Sequence, residues 1–219
     1  MTQRRRSQVP RPPAIDDHNL REVEFEPESD FDEVRIVDQD CSQYQGGGSL
    51  RFSRVDSTDF TDSTVRPMEL VDVALTKSIF ANAQWSNVVA RRVALNGCQT
   101  IGWNLHCDVA EDLRFHECRL DYAGLSFTKT KGPVVFERCR FREATFVGDI
   151  SRVAFVECEF DATDFNRITS ARGVDLRRSP LDGIVGINRL RGARISPDQA
   201  VAAAGTFARE LGFELSNPS

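Results

Sequence analysis

The sequence predicts an all-β fold wound from short extended sides and corners. Two observations point that way. From Leu50 onward, every fifth residue reads Leu50, Val55, Phe60, Val65, Leu70, Leu75, Phe80, Trp85, Ala90, Leu95, Thr100, Leu105, Ala110, Phe115, Leu120 and Leu125, with threonine as the one polar member. A helix repeats its buried face every 3.6 residues and a flat strand every 2, so a period of five belongs to neither. Second, a mostly small residue precedes each large one by two positions: Ser53, Thr58, Ser63, Ala83, Cys98, Cys118, Ala123, Cys139, Ala144, Cys158 and Thr163. Residues two apart share one side of an extended chain. Each quintet is therefore one inward-facing side followed by a corner, with glycine available where the chain bends.

The chain opens with Arg4, Arg5, Arg6 and Arg11 beside three prolines, a composition expected of a disordered tail. Residues 15–40 then carry eleven carboxylates against Arg21 and Arg35. Residues 1–24 are expected to be disordered, basic and then acidic. Residues 41–219 hold 22 acidic and 22 basic residues, so the net charge of −5 belongs to the start of the chain.

Along the repeat the register slips three times. It slips across Gly46-Gly47-Gly48. It shifts by one across Lys131-Gly132-Pro133, resuming at Phe136, Phe141 and Phe146. It returns across Gly148 to Ser151, giving Phe155, Phe160 and Phe165. Weaker continuations follow at Leu176, Leu181, Leu190 and Ile195.

The quintets resemble the pentapeptide-repeat family. The nearest matches to its pattern are Thr58-Asp59-Phe60-Thr61-Asp62, Thr163-Asp164-Phe165-Asn166-Arg167 and Val174-Asp175-Leu176-Arg177-Arg178. The resemblance covers residues 25–195 and implies a right-handed quadrilateral β-helix with four quintets per coil. Arg119, Arg140 and Glu159 depart from the usual Asp or Asn. Met68, Trp103 and Leu113 are bulky where small residues are expected. Four quintets return the chain to the same side, and the cysteines test that repeat independently: Cys98, Cys118, Cys139 and Cys158 are spaced by 20, 21 and 19, with the slips in the right intervals. At about 4.8 Å per strand, roughly eight coils make a rod about 40 Å long. Outward residues should stack likewise, Glu117 with Arg138 and Glu157, and Asp121 with Arg142 and Asp161.

The end of the chain, residues 196–219, reads as a capping helix and tail. Ser196-Pro197-Asp198-Gln199 combines an N-cap serine, a proline at the first position and a capping-box glutamine. The helix is expected from Pro197 to Leu211, with Gly212 as its stop. Val201, Ala204, Phe207, Ala208 and Leu211 supply an apolar face, which serves either as a lid on the last coil or, as the resemblance implies, as a homodimer contact.

Nothing in the sequence assembles an active site. His106-Cys107 and His116-Glu117-Cys118 have zinc-like chemistry, but two quintets are half a coil, which sets the pairs on opposite sides. The cysteine column is read as packing, since cysteine is a small buried hydrophobe. No catalytic residue, metal or cofactor is expected. No apolar run approaches membrane length and the thiols suit a reducing compartment, so a cytoplasmic protein is expected, with no membrane or direct nucleic-acid contact. The resemblance implies a rigid scaffold for an unidentified protein partner. The alternative it implies is DNA mimicry on DNA gyrase, as for mycobacterial and plasmid-borne fluoroquinolone-resistance members. Arg191-Gly192-Ala193-Arg194-Ile195 and Asp198-Gln199-Ala200-Val201 look like the end of the mycobacterial member. Against it, duplex DNA carries one negative charge per about 1.7 Å, while the body of this chain is neutral.

Overall fold

The computed structural model describes residues 9–26 and 28–216; the Arg4-Arg5-Arg6 run lies outside them. The chain winds into a β-helix of about eight coils that ends in a short helical segment. All strand pairings between the described residues are parallel, because each coil lies on the one before. One inward column reads Ile36, Val55, Leu75, Leu95, Phe115, Phe136 and Phe155 in direct register. Phe141 pairs with Phe160 in the next column, and Phe146 with Leu125 in the one after. The three phenylalanines of residues 136–146 thus occupy three successive sides of one coil.

The slips fall where the sequence puts them. Ala110 bridges Thr130, but Leu113 pairs with Val134, so the extra residue lies in Lys131-Gly132-Pro133. Phe127 pairs with Gly148 and Val134 with Val153, which places the deletion in between. Pairing also shifts between Gly46 and Gly48. At Gly48 an added Cβ would lie 2.2 Å from Ser29 O, so only glycine lets those coils meet.

Corners demand left-handed backbone from ordinary residues. Asp72, Arg92 and Asp112 stack at one corner with φ of 52–56°. That conformation costs a non-glycine residue about 1–3 kcal/mol, and parallel backbone hydrogen bonds on both flanking sides hold it in place.

The shaft is filled by side chains in contact across coils. Phe60, Phe80, Phe115, Leu120, Phe136, Phe141, Phe146, Phe155 and Phe165 are all 0–1% exposed, and Phe160 is 8%. The three bulky residues in small slots are accommodated by reduced neighbours. Trp103 stacks on Phe80 at 4.8 Å, over the space left by Thr100, with Ala83 and Ala123 in its own slot on the flanking coils. Leu113, 1% exposed, stands between Val93 and Val134, and Met68, 3% exposed, lies over Gly48. A local register shift puts Cys107 opposite Val88, so Cys107 takes the inward slot that strict counting gives to Asp108.

Outward charges follow the stacking in one column and depart from it in the other. Arg138 lies 3.1 Å from Glu117 and 3.4 Å from Glu157, and Arg178 extends the column at 2.7 Å from Glu157. Arg142 reaches Asp161 at 3.6 Å. Asp121, however, turns into the protein, 1% exposed, between Arg119 at 2.6 Å and Arg140 at 3.6 Å. The two arginines that break the repeat pattern are thus the partners of a buried carboxylate.

Residues 9–24, expected as part of a disordered tail, lie as an extended segment against the coils. Arg11 donates to Asp112 at 2.6 Å, Ala14 N–H donates to Asp72 at 2.9 Å, and Asp17 pairs with Arg54. Arg21 and Glu22 then pair with Val34 and Arg35. Composition predicts disorder because this segment buries little apolar surface; the corner carboxylates hold it instead.

The C-terminal helix is broken in two. α1 spans Pro197–Ala202 and α2 spans Ala204–Glu210. The capping box forms in both directions, and Gln199 also donates to Leu176 O and Ser179 O of the coil below. Ala203, at the break, and Phe207 pack on the core. Val201 and Leu211 are 78% and 73% exposed and Ala204 is exposed too, so they are not lid contacts. The buried stripe runs through Ala203 and Phe207, four residues apart, and leaves the expected face turned outward.

Candidate interaction surface

The interior is filled by packed side chains. The four thiols stack along the axis: Arg119 N–H donates to Cys98 O, Arg140 N–H to Cys118 O and Glu159 N–H to Cys139 O. Each thiol reaches a backbone carbonyl of the coil before, Cys98 to Leu75 O, Cys118 to Leu95 O, Cys139 to Phe115 O and Cys158 to Phe136 O, at 3.3–3.6 Å. All six cysteines are free and buried. Burial pushes the Cys41 thiol up to about 11 and the Cys107 thiol up to about 12, which suppresses the nucleophilic thiolate at neutral pH. Among the described residues no group of three or more His, Cys, Asp or Glu side chains is placed to hold a metal.

The zinc-like pairs are separated by direction as well as by distance along the chain. His106 is on the outer surface, with Nδ1 3.0 Å from Ser126 Oγ and Nε2 3.3 Å from Asp108. Cys107 and Cys118 point into the shaft. His116 lies 3.8 Å from Glu117.

One side of the rod is concave. An open groove of about 500 Å³ runs across six coils between Arg66 and Arg167. Its centre is a polar ladder in which Thr64, Gln84, Asn104, Gly124 and Thr145 stand in direct register. Gly124 makes the depression: a Cβ there would meet Asn104 Oδ1 at 2.3 Å. Tyr122, at the neighbouring corner, is 50% exposed and forms one wall. Arg66 and Arg167 have no ion pair among the described residues. Backbone amides along the groove are spent within the coils, so recognition here falls to side chains: amides, hydroxyls, one imidazole, one phenol and two free guanidinium groups. Sequence reasoning does not find this groove. Its one signal is Gly124 itself, one coil after Asn104 in a column otherwise free of glycine.

The two ends carry opposite excess charge. Nine carboxylates between Glu22 and Asp40 are exposed, and none is within ion-pair distance of a cation among the described residues. At the far end, Arg172, Arg189 and Arg191 line a second groove of about 640 Å³ between the last coils and α2, likewise without ion pairs among the described residues. Along the middle, arginines are mostly paired, as in Arg51–Glu69, Arg92–Asp72 and Arg114–Glu137. The exposed apolar residues Val201, Leu211, Phe213 and Leu215 cluster at this C-terminal end.

No protein-family model and no curated protein matches the sequence. Solved structures do match. A trypsin-treated form of QnrB1, a plasmid-mediated fluoroquinolone resistance protein, superposes with a TM-score of 0.50 at 15% identity, covering 89% of this chain and 95% of that one. HetL, a pentapeptide repeat protein involved in heterocyst differentiation regulation from a Nostoc cyanobacterium, matches at 14% identity with a TM-score of 0.22, covering 76% of this chain and 85% of that one. Among the described residues no helix is long and apolar enough to cross a membrane. With its five-residue period, four-sided coils and parallel stacking, this chain has the pentapeptide-repeat β-helix fold.

Proposed function

We propose that the chain is a non-catalytic scaffold that presents the groove between Arg66 and Arg167 to a protein partner. The observation that carries this is the groove itself: a depression of about 500 Å³, walled by a half-exposed tyrosine, on an otherwise regular side. Its chemistry suits an extended polar segment with a carboxylate at either end, since the two guanidinium groups are free and the centre offers donors and acceptors. The rod is held by in-register backbone pairing on every side, so the surface is preorganised and little ordering entropy opposes binding. A photo-crosslinking side chain at Tyr122 tests this in cells. A protein captured from Tyr122 but not from Glu117, on a different face, supports the groove; equal capture from both would sink it.

A second reading, action on DNA gyrase by DNA mimicry, is favoured by the uncompensated carboxylates of the first coil. The QnrB1 likeness is one of fold and adds a reason to try it. The paired charges of the middle coils work against it, since a duplex mimic needs a continuous negative side. A supercoiling assay with purified chain, with and without a quinolone, decides: no effect at tens of micromolar removes gyrase as a target.

A further inference from the structure

We propose that copies of this chain associate end to end, the arginine groove of one copy seated on the acidic first coil of the next. The docking surface is the groove between the last coils and α2. Arg172, Arg189 and Arg191 line it with Thr169 and Ser170, and on the helix side it is bordered by Leu211 and by Glu210, whose carboxylate accepts from Asn188 at 2.7 Å and leaves three arginines against one acid. Residues 166–195 contain seven arginines against Asp175 and Asp182. Asp175 is already held by Arg177 at 2.7 Å and Arg194 at 3.6 Å, and Arg178 by Glu157, so the groove arginines are the ones left over.

The occupant is indicated by charge complementarity within the chain. Nine exposed carboxylates between Glu22 and Asp40 are packed into about one coil, none within ion-pair distance of a cation among the described residues, and their self-repulsion exceeds what Arg35 and the nearby Arg51 offset. The two ends cannot neutralise one another inside one molecule. About seven coil spacings separate them, on the order of 30 Å, against a Debye length of about 8 Å at physiological salt. A second copy can bring them into contact. The contact is heterologous, joining unlike surfaces, so it leaves a free groove and a free acidic coil on each pair and can propagate. Tail-to-tail pairing through Val201 and Leu211 would instead set arginine groove near arginine groove. A polyanion such as nucleic acid is disfavoured as occupant, because the chain carries a net charge of −5 and its other end repels phosphate.

Sedimentation velocity on the full chain, over a range of concentrations at low and high salt, tests this. Mass should rise with concentration at about 20 mM salt, and the association should weaken by roughly tenfold or more at about 200 mM. Arg172→Glu/Arg189→Glu/Arg191→Glu should be monomeric, as should Asp30→Lys/Asp32→Lys/Glu33→Lys, with unchanged circular dichroism. Mixing the two variants should restore association, since the first retains its acidic coil and the second its arginine groove. A wild-type chain that stays monomeric at low salt overturns the proposal. So does association that survives high salt and is lost in Val201→Glu, which would assign the contact to the helix. Failure of the mixed variants to associate also overturns it. So does fluorescence anisotropy showing a short DNA duplex bound by the wild type and released by the arginine variant, which would give the groove to nucleic acid. None of these results bears on the Tyr122 groove, which lies on a side of the rod and is read by crosslinking.

Discussion

Phe146 and Phe165 stack ring on ring, centroids 4.9 Å apart and planes within 2°, although they belong to successive coils. The same relationship joins Phe136 to Phe155 at 5.5 Å and Phe141 to Phe160 at 5.7 Å. Three parallel stacks on three sides of one shaft are the physical meaning of the five-residue period. They make the core a continuous column in which each ring is buried by the coils above and below.

Truncating that column should be costly where the adjacent outward residue is not. Phe141→Ala removes a fully buried ring and should destabilise by about 3–5 kcal/mol. Arg142→Ala removes exposed ion pairs with Asp161 and Glu143 and should cost about 1 kcal/mol or less. Urea denaturation of both variants measures this, and equal losses would contradict the inward and outward assignment.

Coil approach should depend on glycine at the third register slip. Gly148 has φ of 87°, and a Cβ there would lie 2.2 Å from Phe127 O. Gly148→Ala is expected to destabilise by more than about 1 kcal/mol. Gly212, with nothing within 4 Å, is the control with similar φ and no close approach. Thermal melts in which the two alanine variants match would remove the steric argument.

The thiols should be silent until the chain unfolds. All six are free and buried, so a disulfide exchange reagent at mild alkaline pH should react with none of them natively and with all six in denaturant. Rapid native labelling would show that the shaft opens; fewer than six thiols in denaturant without reductant would reveal a disulfide.

The Asp72 corner should make stability fall in acid. Burial raises the Asp72 carboxyl, but hydrogen bonds from Arg92 and from Ala14 N–H, with the nearby charges of Arg92 and Arg11, hold it below its ordinary value of 3.8. A carboxyl lowered by folding contributes stability that is fully present above the ordinary value and is lost as pH falls through the lowered one. Asp72→Asn should therefore lose stability at neutral pH, by about 1–3 kcal/mol for a charged hydrogen-bond network, and show a flatter acid limb. It should also loosen residues 9–24, read as faster amide exchange at Ala14. An unchanged acid limb would mean that this network does not couple to folding.

How much can be read in advance differs by element. The inward columns, the insertion at Lys131-Gly132-Pro133, the deletion after Gly148 and the capping box at Ser196 are local or strictly periodic features, and they stand in the sequence as they stand in space. Counting along the coils misplaces Asp121, because it gives a residue's column but not the direction of its side chain, and that carboxylate lies buried beneath the half-exposed Arg119 and Arg140. Counting also passes over the groove at Gly124, which arises from the absence of a side chain on one coil beneath a long one on the next.

Repetition alone determined the all-β coil, the stacking of Cys98, Cys118, Cys139 and Cys158, and the identity of the core, since a side chain that recurs every five residues has one direction available to it. The tertiary structure decided what lies outside the shaft: the corner that anchors residues 9–24, the choice of Ala203 and Phe207 as the buried helix stripe, which leaves Val201 and Leu211 in solvent, and the two grooves. These depend on side chains meeting across coils and across the ends, where neighbours are set by the winding and by the free charges it leaves unmatched rather than by the order of residues.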